Sequence, residues 1–136
     1  MSENSVLGID TNVLVRWLMS DPTAVHQSAL AAAAIDNATE EVLISPVVLA
    51  EFSWVAERSF GLGRQALCTL LSDILDSTMI VIPARDLVQS AIKNYGAGGP
   101  GFADHLIAAM NQSYGCTTTL TFDKSAARSP HFTLLT

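Results

Sequence analysis

Apolar positions along the chain alternate between short β-branched runs and longer stretches at helical spacing, the pattern of a parallel α/β sheet. Val6 to Ile9 reads as a first strand. After it, Leu14, Trp17 and Leu18 follow Val13 at helical intervals, so the spacing predicts a short helix over Asn12 to Met19. Asp21-Pro22 opens a second helix, with Asp as cap and Pro at the first position, and the alanine-rich stretch to Ala38 continues it. Val42 to Ile44 is a second strand, and Ser45-Pro46 starts a helix running to about Phe60, where Gly61 and Gly63 stop it. Gln65 to Leu75 carries Leu67, Leu70, Leu71, Ile74 and Leu75 on one helical stripe, and Met79 to Ile82 is a third buried strand that Pro83 ends. Ala84 to Tyr95 is amphipathic, and Gly96 to Gly101 reads as loop, the most flexible stretch of the chain. A helix over Phe102 to Tyr114, a Thr-rich fourth strand over Thr117 to Phe122 and a short fifth over Phe132 to Leu135 complete the plan.

No repeat or internal boundary interrupts this pattern, and 136 residues suit one domain. Apolar residues make up 49% of the chain and charged ones 15%, which excludes disordered and fibrous classes. The mean hydropathy is +0.35, yet the longest apolar run, Ala29 to Ile35, falls far short of the roughly 20 residues a spanning helix needs, so the chain reads as soluble. Met1 to Ser5 has no positive region, and the apolar stretch after it breaks at Asp10, which argues against a secretory signal and for the cytoplasm. Cys68 and Cys116 form no zinc or disulfide spacing and read as small buried apolar residues. Seven Lys+Arg against thirteen Asp+Glu give a net charge of −6, so no chain-wide basic field attracts a polyanion, and a nucleic acid would have to be held locally.

The acids fall at informative places on this plan. Ligands of open parallel sheets bind beyond the carboxyl ends of the strands, where Asp10 and Asp123 sit. Glu51 borders the apolar stripe of the helix opened by Ser45-Pro46, and Asp104 lies in the first turn of the helix after the glycine-rich segment. Each also has an ordinary structural role open to it, as cap, turn residue, dipole partner or solvated charge. Together, four carboxylates on one rim repel, by about 3 kcal/mol for two charges about 5 Å apart at an effective dielectric of about 20. A cation relieves that repulsion, and an all-oxygen ligand set favours Mg²⁺ or Mn²⁺ over zinc.

Asp10-Thr11-Asn12 after the first strand, Glu51, Asp104 within Phe102 to Ala109, and Thr121-Phe122-Asp123 give the chain its likeness to a known family. In this order and spacing it resembles PIN-domain ribonucleases, and among them the VapC toxins of toxin-antitoxin pairs. The resemblance covers nearly the whole chain and implies a single PIN-like α/β/α sandwich over residues 1–136. It further implies a Mg²⁺- or Mn²⁺-dependent endoribonuclease with Asp10, Glu51, Asp104 and Asp123 as catalytic metal ligands. Thr11, Asn12 and Thr121 match supporting polar positions. The partners so implied are an RNA substrate, a cognate antitoxin and a second copy in a homodimer. Asn12 to Met19 and Gln65 to Leu75 are the stretches expected to receive an antitoxin helix.

Other residues read more plainly. His105 points about 100° from Asp104 on its helix and is expected at the surface or partly buried. Trp17 and Trp54 sit at core spacing, and Lys124 and Arg128 are the best phosphate contacts among scattered cations. A phospho-receiver domain needs an aspartate at the end of the third strand, where Ile82-Pro83 stands, and a dehalogenase-type phosphatase needs Asp where Asn12 stands. Two alternatives remain open: a housekeeping PIN nuclease, or an inactive PIN domain that binds RNA or a protein partner.

Overall fold

The computed structural model describes residues 5–136; Met1 to Asn4, part of the stretch read for a secretory signal, lie outside the described residues. Strand β1 (Val6–Gly8) runs into helix α1 (Thr11–Leu18), whose first turn is capped by Asp10: its Oδ1 accepts from Val13 N at 3.0 Å. Asp21 caps as expected, but what it opens is a 3-10 turn, Pro22–Ala24, and helix α2 (Val25–Asp36) begins only after it. The split has a local cause, since Asp21 Oδ1 accepts from both Thr23 N (2.9 Å) and Thr23 Oγ1 (2.7 Å) and so holds the chain in a tight turn.

Strand β2 (Glu41–Leu43) leads to helix α3 (Pro46–Phe60). Ser45 Oγ accepts from Val48 N at 3.2 Å, Pro46 fills the first helical position, and Gly61, at a φ of 64°, turns the chain so that Leu62 N reaches Ala56 O at 3.0 Å. Helix α4 (Arg64–Asp76), strand β3 (Ile80–Val81) and helices α5 (Arg85–Ala97) and α6 (Phe102–Ser113) follow. Strand β4 (Thr119–Thr121), a second 3-10 turn (Ala126–Arg128) and strand β5 (Phe132–Leu134) end the chain. Leu14, Ile44, Leu49, Phe52, Leu67, Val88 and Phe102 form the centre of the main core. Helix α4 places Leu67, Leu71, Ile74 and Leu75 in that core, so these side chains are not available at the surface.

The strands are parallel throughout, as the alternating pattern requires, but they make two sheets. β2 lies between β1 and β3, with Leu7 opposite Val42 and Val42 opposite Ile80, while β4 pairs with β5 alone, Leu120 opposite Thr133. The β4–β5 pair rests on α6 through Phe132 and Ala126 packed with Ala108, and through Asn111 Nδ2 donating to Thr119 Oγ1 at 3.0 Å. Side chains alternate along a strand, so Leu120 points to the opposite face from Thr119, into solvent. Cys116, expected to be buried, is exposed in the turn after α6, and Cys68 is half-buried. No helix among the described residues is long and apolar enough to cross a membrane.

Candidate functional site

Asp10, Thr11 and Glu51 come together where α1 and α3 meet. Thr11 Oγ1 donates to Glu51 Oε1 at 2.6 Å, which ties the first turn of α1 to α3, and Asp10 is occupied with its cap. Asn12 is exposed beside them in the first turn of α1. Glu51, Trp54 and Arg58 share the outer face of α3, and the Arg58 guanidinium lies 6.0 Å from the centre of the Trp54 ring. Trp54 is therefore a surface residue, not the core residue its spacing suggested, whereas Trp17 packs partly buried against the core.

Asp104 and Asp123 make a second group. Burial raises the Asp104 carboxyl above its ordinary value, and the negative charge of Asp123 raises it further; His105 and a hydrogen bond from the Gly101 backbone oppose the shift. Asp123 is exposed and holds its own loop: its Oδ1 accepts from Ser125 N at 2.8 Å, and its N donates to Thr121 Oγ1 at 3.0 Å. His105 is buried, contrary to expectation, and its Nε2 donates to Gly98 O at 2.8 Å. Desolvation lowers its pKa and keeps the ring neutral at pH 7.

Among the described residues, no three His, Cys, Asp or Glu side chains come together in an arrangement able to hold a metal ion. This overturns the Mg²⁺ or Mn²⁺ site expected at Asp10, Glu51, Asp104 and Asp123, and with it the metal-dependent endoribonuclease activity that site implied. The reason lies in the strands. Asp10 and Asp123 each follow a strand by two residues, but β1 pairs only with β2 and β4 only with β5, so the two strand ends share no sheet rim. Asp10, Glu51 and Asp123 stay in water, each bonded to a local donor, and the four-fold crowding that called for a cation does not arise.

Arg64 escaped the sequence reading as one of the scattered cations. Its Nη1 donates to the carbonyls of Tyr95 (2.9 Å), Gly98 (3.2 Å) and Pro100 (3.1 Å), and its Nη2 to that of Gly99 (2.7 Å). The guanidinium lies 4.6 Å from the centre of the Tyr95 ring, and the Tyr95 hydroxyl donates to Glu57 Oε1 at 2.9 Å. The glycine-rich segment expected to be the most flexible stretch is thus clasped at its carbonyls, and its first residues, Gly96 and Ala97, belong to α5. One signal pointed to Arg64: a cation in the first turn of a helix opposes the helix dipole, so it needs another partner, here the C-terminal end of α5.

The family model of the PIN domain matches residues 8–131. The chain belongs to the PIN domain family, and its α/β architecture is that family's. No curated protein matches the sequence.

Proposed function

We propose that this PIN domain acts by binding a protein partner, as a VapC-like domain of the cytoplasm whose partner is an antitoxin-type polypeptide. The observation that supports this reading is the uncovered outer face of β4. Leu120 within β4 is 61% exposed, and Phe122, the residue just after the strand, 81%. Val6 and Leu7 of β1 are also exposed, and among the described residues both β1 and β4 keep one edge without a strand partner. Open apolar edges promote aggregation unless something covers them. An extended polypeptide covers them by strand addition, which joins main-chain hydrogen bonds to burial of alternate side chains. Burying Leu120 and Phe122 contributes about 3–5 kcal/mol to such a complex. RNA fits this surface less well, because the uncovered groups are apolar and the chain carries a net charge of −6.

Where a small open reading frame flanks this gene, co-expression with its product tests the reading. A co-purifying complex is expected with the wild type, and its loss with Leu120→Asp/Phe122→Asp, which keeps the wild-type circular dichroism because both side chains already face water. A complex equally stable in the double variant contradicts the assignment.

A further inference from the structure

Eight of the twelve residues of helix α2 are Ala, Val, Leu or Ile, yet Ala31 alone is buried. The helix packs on α1 and leaves its other side open. Val25 is 66% exposed and Leu30 58%, and Ala29 and Ala33 are exposed with them. At about 100° per residue, Val25, His26, Ala29, Ala33 and Asp36 fall within about 100° of one another on the side away from Ala31, with Leu30 at their border. Past Val25 and Ala29 this face runs into an open cavity of about 470 Å³, whose far wall is the segment from Trp17 to Pro22.

The polar residues of the face are set the wrong way round for a helix on its own. His26 stands at the second helical position and Asp36 at the last, and α2 has no acid in its first turn and no base in its last to complement its dipole. Neither side chain makes a hydrogen bond or an ion pair among the described residues. Turned end for end, the same arrangement matches itself. In an antiparallel pair of α2 helices with the two-fold axis level with Ala31, His26 lies opposite Asp36 and Ala29 opposite Ala33, each twice. Leu30 then meets its own equivalent beside the axis. His26 has an N–H to donate whether neutral or charged, and the Asp36 carboxylate accepts it. Ala29 and Ala33 carry only a methyl group each, which lets the two helix axes approach to about 8 Å.

We propose that this face binds a second copy of the chain, forming an isologous dimer through antiparallel α2 helices. Any apolar helix would cover Val25 and Leu30, whereas a second copy also satisfies His26 and Asp36 at both ends by symmetry. Twelve residues make a helix of about 18 Å, a smaller face than the roughly 800 Å² per partner of a standard interface, so the dimer is a weak one that forms on the order of 100 µM. Helix α2 shares no residue with the exposed face of β4, so self-association and partner binding succeed or fail separately.

Sedimentation equilibrium of the full chain, from about 10 µM to about 1 mM at pH 7, tests the proposal. The wild type is expected to move from the 14.5 kDa monomer toward twice that mass, and Leu30→Asp to stay monomeric with an unchanged circular dichroism spectrum, because its side chain already faces water. His26→Glu sets an acid opposite Asp36, and Asp36→Lys sets a cation opposite His26. Each acts twice per dimer and should weaken association about 5–30-fold. Both changes favour the isolated helix, so the melting temperature measured at low micromolar concentration should stay level or rise while the dimer is lost. The swapped pair His26→Glu/Asp36→Lys should restore association to the wild-type range, which only antiparallel α2 helices predict. A wild type that is still monomeric at 1 mM overturns the proposal. So does a dimer that survives Leu30→Asp, or a swapped pair no stronger than its single variants.

Discussion

Replacing Arg64 by methionine removes the four hydrogen bonds through which that side chain clasps the turn between α5 and α6, leaving those from His105 Nε2 to Gly98 O and from Gly98 N to Tyr95 O. Three of its four carbonyl partners share Nη1, which carries only two protons, so the three contacts amount to about two full hydrogen bonds. The fourth, to Gly99 O, lies where water can replace it. Two to three effective bonds at about 1 kcal/mol each, with about 0.5–1 kcal/mol from the cation over Tyr95, give a loss of about 3 kcal/mol. For a 136-residue chain that lowers the melting temperature by about 10 °C. Arg64→Lys keeps the charge without the planar fork and should lose about half as much. Urea unfolding followed by circular dichroism measures the difference, with the slope against urea unchanged because the same surface is exposed. Amide exchange of residues 98–102 should accelerate in Arg64→Met. A variant within about 0.5 kcal/mol of the wild type, with the turn still protected, would refute the clasp.

Asp104 gives a pH dependence of defined sign. Burial, then the charge of Asp123, raises its folded pKa above 3.8, so the folded state holds a proton the unfolded state has released, and stability falls as pH rises through the window just above 3.8. Urea midpoints measured across that window should decline in the wild type and decline less in Asp104→Asn; equal slopes would contradict the assignment. Tyr95, pushed up to about 12 by burial and by its hydrogen bond to Glu57, contributes stability that is complete below pH 10 and lost as pH rises toward 12. A spectrophotometric titration should show one tyrosine ionising near 12 and moving down in Glu57→Gln, and a Tyr95 that ionises at 10 would remove that prediction. Gly99 has a φ of +77°, and a Cβ there would lie 3.3 Å from His105 Nε2, so Gly99→Ala should cost about 1–3 kcal/mol in the same urea assay.

Local chemistry made much of the fold legible. Ser45-Pro46 and Gly61 fixed α3 between the residues expected, because a cap, a proline and a left-handed glycine act within one turn of the chain. Which strands would pair was not legible. Alternation along a three-residue strand shows which face is apolar but does not name the neighbour, and β1 and β4 are both that short. The acids share this limit. Asp10 and Asp123 were correctly placed beyond strand ends, but a common metal site required those ends to share one rim. The burial of His105 was hidden for a related reason. Helical geometry separates it from Asp104 by about 100°, but it does not say that the Gly98–Gly99 turn folds over that side.

The central claim, a PIN domain that binds without metal-dependent cleavage, is tested most directly on mixed end-labelled RNA incubated with the wild type and with Asp10→Asn/Asp104→Asn, each in Mn²⁺, Mg²⁺ and EDTA. With three of the four acids exposed to water and no metal-holding group among the described residues, the two proteins should give the same RNA pattern in all three conditions. Fragments made by the wild type only when Mn²⁺ or Mg²⁺ is present, and missing with the double variant, would contradict it.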